Sequence, residues 1–263
     1  MKAILIVLLA GMSVAPVVRS ATLEATYEFN NNLNADQGGV PALTPTDPLS
    51  SNEFLTDTVF GQSRTIYRWI GNANPPSQQA GFSLNTTGLI TPNNYSVVMV
   101  FNFDGTSGWR RIIDVADRQS DNGFYVDPSN HLDVYPVSGS GPNTFTSGYH
   151  DVVMTVASDG TVKGYIDGLT DFTTNTTVMN TTNSATDTMS FFLDNVAGGG
   201  QGEFSDGNIA QLQLYNGVLT DNEALQISQN PLVPEPTGLA LLSLVAAALV
   251  AQRRFGRGIA VRR

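Results

Sequence analysis

Between residues 21 and 217 apolar side chains recur at every second position in short runs, and that period commits the region to β-strands. In 96–103, Val97, Met99, Phe101 and Phe103 fall on one face and Val98 and Val100 on the other. Two apolar faces describe a central strand covered on both sides. In 151–156, Val152, Met154 and Val156 share a face. In 209–215, Ala210, Leu212 and Leu214 are expected to point inward, with Gln211 and Gln213 toward water. Asp104-Gly105, Asp159-Gly160, Asp167-Gly168 and Asp206-Gly207 punctuate the runs as turn or loop-tip signals. Asp159-Gly160 predicts a hairpin joining 149–157 to 161–167.

The spacing predicts strands near 23–29, 64–69, 80–85, 94–103, 110–116, 123–126, 131–135, 149–157, 161–167, 171–175, 189–194 and 208–215. So many short strands at turn-limited intervals argue an all-β, two-sheet antiparallel sandwich. One helix is predicted over 221–229. Thr220 and Glu223 make a capping box there, with Leu219 and Ala224 in staple positions. Segments 30–51, 137–147 and 173–188 read as loops. So does Gly198-Gly199-Gly200-Gln201-Gly202, which has no helix behind it to make a phosphate cradle.

Composition narrows the chemistry. With no Cys, the chain can form neither a disulfide scaffold, nor a thiolate metal site, nor a thiol nucleophile. Residues 21–232 carry six cations against 22 acids, a balance of −16. Such a field repels phosphate backbones and excludes nucleic acid as a partner, while leaving carboxylates for divalent cations.

The two ends read as addresses. Met1-Lys2, an apolar run over 3–12 and a short polar segment to Ser20 form a signal peptide, with cleavage expected before Ala21. At the other end, Val233-Pro234-Glu235-Pro236 precedes an apolar stretch over 239–251, interrupted only by Ser243, and then Arg253-Arg254. As a helix this stretch reaches about 20 Å, short of the roughly 30 Å hydrocarbon core. Its cationic end would stay cytoplasmic.

The Pro-Glu-Pro, apolar helix and Arg cluster over 233–263 resemble the PEP-CTERM sorting signal. That resemblance implies recognition by an exosortase in a Gram-negative bacterium that makes exopolysaccharide. Signal peptidase would act at the front, the C-terminal helix would sit in the membrane before processing, and the domain would end at the cell surface or in the extracellular matrix. The middle, 21–232, resembles the LamG-like or concanavalin A-like jelly roll. The matching residues include Tyr27-Glu28-Phe29, Tyr95 through Phe101, Gly164-Tyr165-Ile166-Asp167-Gly168, and Ile209 through Tyr215 running into Leu219-Thr220.

Jelly rolls host hydrolases, lyases and binders alike, so residues must decide. A retaining glycosidase needs two carboxyls about 5–5.5 Å apart. Glu24 and Glu28 are four apart on one strand, and Glu203 and Asp206 lie in a Gly-rich loop, so no acid/base pair stands out. His131 and His150 each begin a strand without the setting of a nucleophile triad. The expectation is a non-catalytic domain. Trp69, Trp109 and Tyr135 are the candidates for stacking on a sugar. Arg110-Arg111 beside Trp109 could stack on a sugar or bind a carboxylate, which makes Arg110 a candidate ligand-binding residue; the alternative is that one arginine pairs with an acid of this acidic domain while the Trp packs at the sheet edge. By resemblance to calcium-holding jelly rolls, Asp36, Asp206 and Asn208 are candidate Ca²⁺ ligands. The leading expectation is adhesion or polysaccharide association; a divergent polysaccharide hydrolase or lyase and a purely structural matrix component are the alternatives.

Overall fold

The computed structural model describes residues 21–105, 107–137 and 141–232. The signal segment 1–20 and the sorting motif (Val233, Pro234, Glu235, Pro236, Arg253, Arg254) lie outside the described residues. In chain order the strands are β1 (Thr22–Tyr27), β2 (Thr44–Thr46), β3 (Glu53–Val59), β4 (Gln62–Trp69), β5 (Gly81–Asn85), β6 (Tyr95–Phe103) and β7 (Arg110–Asp114). They continue with β8 (Gly123–Val126), β9 (Leu132–Tyr135), β10 (His150–Val156), β11 (Thr161–Ile166), β12 (Leu169–Asn175), β13 (Thr188–Phe191) and β14 (Gly207–Asn216). One helix, α1 (Asp221–Gln229), follows.

The strands pair into two antiparallel sheets. The larger has eight strands ordered β12-β11-β10-β6-β14-β4-β3, with β1 also on β14. The smaller is β2-β5-β13-β7-β8-β9. This is the expected two-sheet jelly-roll sandwich. Its single core runs between the sheets and is rich in rings: Phe82, Phe101, Phe103, Phe191 and Phe192 all sit in it. Trp69 lies flat on Phe192, with centroids 3.9 Å apart and planes 5° from parallel. Its indole N–H donates to the Ser205 carbonyl at 2.9 Å. Trp69 is therefore a wholly buried core residue and not a sugar-stacking surface.

Central strand β6 behaves as its two apolar faces demand. Val97, Met99, Phe101 and Phe103 enter the main core. On the outer face, Val98 packs with Val153, Tyr165, Tyr215, Leu219 and the helix residues Ala224 and Ile227. The helix occupies the predicted range, with both halves of the capping box formed between Thr220 and Glu223.

Strand β14 departs from simple alternation. A register shift between Ile209 and Gln211 puts Ile209, Leu212 and Leu214 in the core and turns Ala210 outward, onto Val59, Ile66 and Val100. The expected wet face is also covered: Gln211 and Gln213 are buried, Gln211 donating to Glu28 at 2.7 Å and Gln213 accepting from Tyr215 at 3.0 Å. A bulge moves every later side chain to the opposite face, and one residue's offset is invisible to a strict period of two.

Two strands escape the sequence reading. Strand β2 lies inside the expected loop 30–51, and β3 forms a hairpin with β4 through Phe60-Gly61, both at positive φ. The β3 sequence, Glu-Phe-Leu-Thr-Asp-Thr-Val, is too polar for the core pattern because β3 is an edge strand. Gly207 is not a loop tip but the first residue of β14, paired with Trp69 and Phe103.

Candidate functional site

Neighbouring residues of β8 alternate between the core and the outer face of the smaller sheet. Phe124 and Val126 enter the core, so Tyr125 points outward. Register places Tyr125 opposite Arg111 of β7 and opposite Asp133 of β9. Trp109, just ahead of β7, and Tyr135, at the end of β9, flank it. The Trp109 ring meets Tyr125 at 5.6 Å and Tyr135 at 5.6 Å, at interplanar angles of 84° and 74°. The three rings pack edge to face as one aromatic cluster, Tyr125 and Tyr135 completing it at 6.4 Å and 79°. Tyr125 is buried, Trp109 is half-buried and Tyr135 is 37% exposed.

Beneath the rings lies a buried polar network. Arg111, 1% exposed, pairs with Asp114, lies 3.3 Å from Asp194 Oδ1, and donates from Nε to the Tyr125 hydroxyl at 2.6 Å. Its guanidinium carbon stands 4.7 Å from the centre of the Tyr125 ring. Gly123 makes the space: a Cβ there would stand 3.2 Å from the Arg111 guanidinium carbon and 3.3 Å from the Tyr125 ring. Asp194 is anchored in turn, Oδ2 accepting from the backbone of Gly202 at 2.7 Å and of Glu203 at 2.8 Å. Arg118 clamps the same corner, donating to the Asp194 carbonyl at 2.6 Å and to Gln79 Oε1 at 3.0 Å.

A carboxyl pair stands at the edge of this network. The backbone of Glu203 runs beside β7, its carbonyl accepting from Arg111 N at 2.9 Å. The Glu203 carboxyl lies among the charges of Asp194, Asp121 and Arg111, and Asp121 Oδ1 is buried without a hydrogen-bond partner. Burial, and then the charges of Asp194 and Asp121, push Glu203 up to about 7. Burial also raises Asp121, against the pull of Arg111. The Gly198–Gly202 tract packs over this pair; a Cβ on Gly200 would collide with the Asp121 carboxylate. Gly200 alone is tight against Asp121; Gly199 meets nothing within 4 Å and Gly202 faces Asn74, and all four glycines of the tract have positive φ.

Of the residues expected to bind ligand, Trp109 and Tyr135 come together and Arg110 does not join them. Arg110 points into the core, 1% exposed, donating to Asn130 Oδ1 at 2.7 Å with its guanidinium 5.9 Å from the Phe103 ring centre. Burial lowers it to about 10, Asp127 pulling the other way. A sugar cannot reach it. Arg111, its neighbour, is the arginine that meets the acids. The sequence does not mark Tyr125, Asp121, Asp194 or Glu203 as a group, because they come from two segments some seventy residues apart.

The candidate calcium ligands do not converge. Asp206 Oδ1 accepts from Gly71 N at 2.8 Å, and Asn208 Oδ1 accepts from Arg68 at 3.1 Å. Asp36 instead joins the β1 end, its N–H donating to the Thr26 carbonyl at 2.8 Å. Thr26 pairs with Gln213, five residues along β14 from Asn208, a separation of roughly 15 Å at the usual strand rise. These three do not fit one ion. Among the described residues, no group of three or more His, Asp or Glu side chains could hold a metal.

The remaining candidates are structural fasteners. Glu28 pairs with Arg64 at 2.5 Å. His131 Nδ1 meets the Asn143 carbonyl at 2.7 Å. His150 Nδ1 meets Asp167 at 2.8 Å, while Nε2 receives both Thr146 N–H (3.0 Å) and lies 2.7 Å from Thr146 Oγ1. The backbone donor on Nε2 makes that imidazole a staple for the 145–149 loop.

Residues 76–224 match the family model Laminin_G_3, described as the concanavalin A-like lectin/glucanases superfamily. No curated protein matches the chain. Among solved structures, domain 4 of AbnA, a GH43 extracellular arabinanase from Geobacillus stearothermophilus in complex with arabinotriose, is similar over 80% of this chain and 100% of that one, at 19% identity and TM-score 0.56. The binding domain of botulinum neurotoxin DC in complex with rat synaptotagmin II is similar over 81% of this chain and 52% of that one, at 12% identity and TM-score 0.53. A botulinum neurotoxin type C structure, whose cell entry depends on two ganglioside molecules, is similar over 82% and 52%, at 13% identity and TM-score 0.53. The chain spans about half the length of the toxin domains.

Proposed function

The chain belongs to the concanavalin A-like lectin/glucanase superfamily, and from that premise we propose that it is an exported, non-catalytic carbohydrate-binding protein of the cell surface or extracellular matrix. The observation that carries this reading is the partly exposed aromatic cluster of Trp109, Tyr125 and Tyr135 on the outer face of the smaller sheet. Angled rings with polar groups at their base suit a sugar, which offers C–H faces to stack and hydroxyls to hydrogen-bond. The similarity to a domain solved with arabinotriose supports a glycan ligand. The tags at 1–20 and 233–263 support export by signal peptidase, exosortase sorting, and transient membrane anchoring through the C-terminal apolar segment. Retention on a glycan array should be strong for the mature domain and lost in Trp109→Ala and in Tyr135→Ala. Equal retention by both variants and the parent would rule out the aromatic cluster as the binding surface.

One observation favours a second reading, a polysaccharide hydrolase. Glu203 holds its proton to about pH 7 beside Asp121, as a general acid does. Reducing-sugar release from a broad polysaccharide panel, abolished in Glu203→Gln, would establish the hydrolase; silence across the panel leaves the binder.

A further inference from the structure

Stacking on rings orients a sugar, but its hydroxyls must also be met by donors and acceptors. The β7–β8 loop and the connection from β12 to β13 enclose a surface pocket of about 340 Å³, at the small end of the roughly 300–1,000 Å³ of ligand sites. Gln119, Ser120 and Asn122 line one wall, and Thr177, Val178 and Asn183 line the other. Gly123, next to Asn122, pairs with Tyr135 across β8 and β9. A ladder pair about 5 Å apart and one residue's rise put the Cα of Asn122 roughly 6 Å from that of Tyr135. On the opposite wall, Thr174 Oγ1 of β12 donates to the Val137 carbonyl at 3.4 Å, just ahead of Thr177. Both walls therefore flank the end of β9, where Tyr135 and Val137 are exposed.

The pocket is neutral in a strongly acidic domain, because the charged residues of the β7–β8 loop are drawn elsewhere. Asp117 accepts from Ser184 Oγ, Thr186 Oγ1 and Ala185 N, each at 2.6 Å. Arg118 donates to the Asp194 carbonyl, and Asp121 lies against Gly200. The Asp117 bonds tie one wall to the other. Asn183 Nδ2 braces its own wall, donating to the carbonyls of Thr177 and Val178 at 2.9 Å each. Across from it, Asn122 N donates to Ser120 Oγ at 3.1 Å. The Asn183 amide oxygen and the exposed Asn122 amide are then the acceptor and donor that the pocket presents.

We propose that this pocket is a glycan subsite that holds one neutral sugar unit, with the chain continuing over Tyr135. The continuation rests on the aromatic cluster being the glycan surface; the pocket itself does not. Amides donate and accept at once, as sugar hydroxyls do. Among the described residues that line the pocket none is a cation, so nothing there offsets the cost of desolvating a uronate carboxylate. That fixes the ligand class as neutral glycans and excludes uronic-acid polymers.

The test is isothermal titration of the mature chain with neutral arabinan, galactan and glucan and with polygalacturonate, paired with hydrogen exchange at saturation. The parent should bind a neutral polymer, reject polygalacturonate and gain protection over 116–122 and 177–183. Gln119→Ala/Asn122→Ala, both on an exposed loop, should weaken that binding about tenfold with an unchanged melting temperature. Asn122→Asp, which keeps the volume and removes the donor, should weaken it in the same direction. Full binding by these variants, or polygalacturonate bound as tightly as the neutral polymer, would overturn the pocket while the aromatic reading stands. Binding lost in them but full in Trp109→Ala and Tyr135→Ala would keep the pocket and end the aromatic reading. A parent that retains no polymer and gains no protection ends both.

Discussion

The hydroxyl of Tyr125 accepts from Nε of Arg111 at 2.6 Å and from Nη2 of the same side chain, and donates to the Asp121 carbonyl at 2.8 Å. One phenol therefore joins β7, β8 and the loop between them at the base of the aromatic cluster. Burial pushes that hydroxyl far up, and Arg111 only partly opposes it, so it stays neutral and donates. Tyr125→Phe should cost about 1–3 kcal/mol, because it strands buried donors on Arg111. Arg111→Met should cost more, about 3–5 kcal/mol, since it leaves the fully buried Asp114 and Asp194 without their cation. Chemical denaturation of the two variants checks the order; Arg111→Met more stable than Tyr125→Phe would show that the acids are neutralised another way.

Asp151 predicts the opposite sign. It is wholly buried on β10, neither carboxyl oxygen makes a hydrogen bond, and burial, then Asp167, raises it to about 8 from an ordinary 3.8. The folded chain then keeps a proton that the unfolded chain has lost, so stability falls as pH rises from about 4 to about 8. Asp151→Asn removes that dependence. It should melt higher than the parent at pH 7, by about 1–3 kcal/mol, with the gap closing toward pH 4. Parallel melts from pH 4 to pH 8 read this directly.

Gly207 tolerates no side chain. A Cβ there would strike the Asn102 carbonyl and the Trp69 ring, at the point where Trp69 lies flat on Phe192. Gly207→Ala should destabilise by about 1–3 kcal/mol through overpacking. Near-ultraviolet circular dichroism should show a perturbed tryptophan signal alongside the lower melting point.

The helix cap offers a smaller and more local test. Thr220 Oγ1 accepts from Glu223 N at 3.2 Å, and Glu223 Oε2 accepts from Thr220 N at 2.8 Å. Thr220→Ala should cost about 1 kcal/mol. Hydrogen exchange should rise within α1 and leave the strands of the main core unchanged.

The sequence alone determined the strands whose side chains alternate without interruption and the helix that carries its own cap. Val97 to Phe103, Val152 to Val156, and Thr220 with Glu223 all follow local rules: a period of two for strands, a reciprocal hydrogen bond for the helix start. Trp109 and Tyr135 were also legible as candidates, because large rings beside turn signals stand out. What tertiary structure alone decided is orientation and company. Arg110 and Arg111 are adjacent in sequence, yet one enters the core against Phe103 and the other faces Tyr125. The bulge in β14 reassigned Ala210, and the edge position of β3 hid a strand whose polar composition resembles a loop. Asp121 meets the loop that carries Asp194 and Glu203 only because β13 pairs with β7. Electrostatic coupling among carboxyls depends on distances of a few ångströms, and linear spacing along a chain carries no information at that scale.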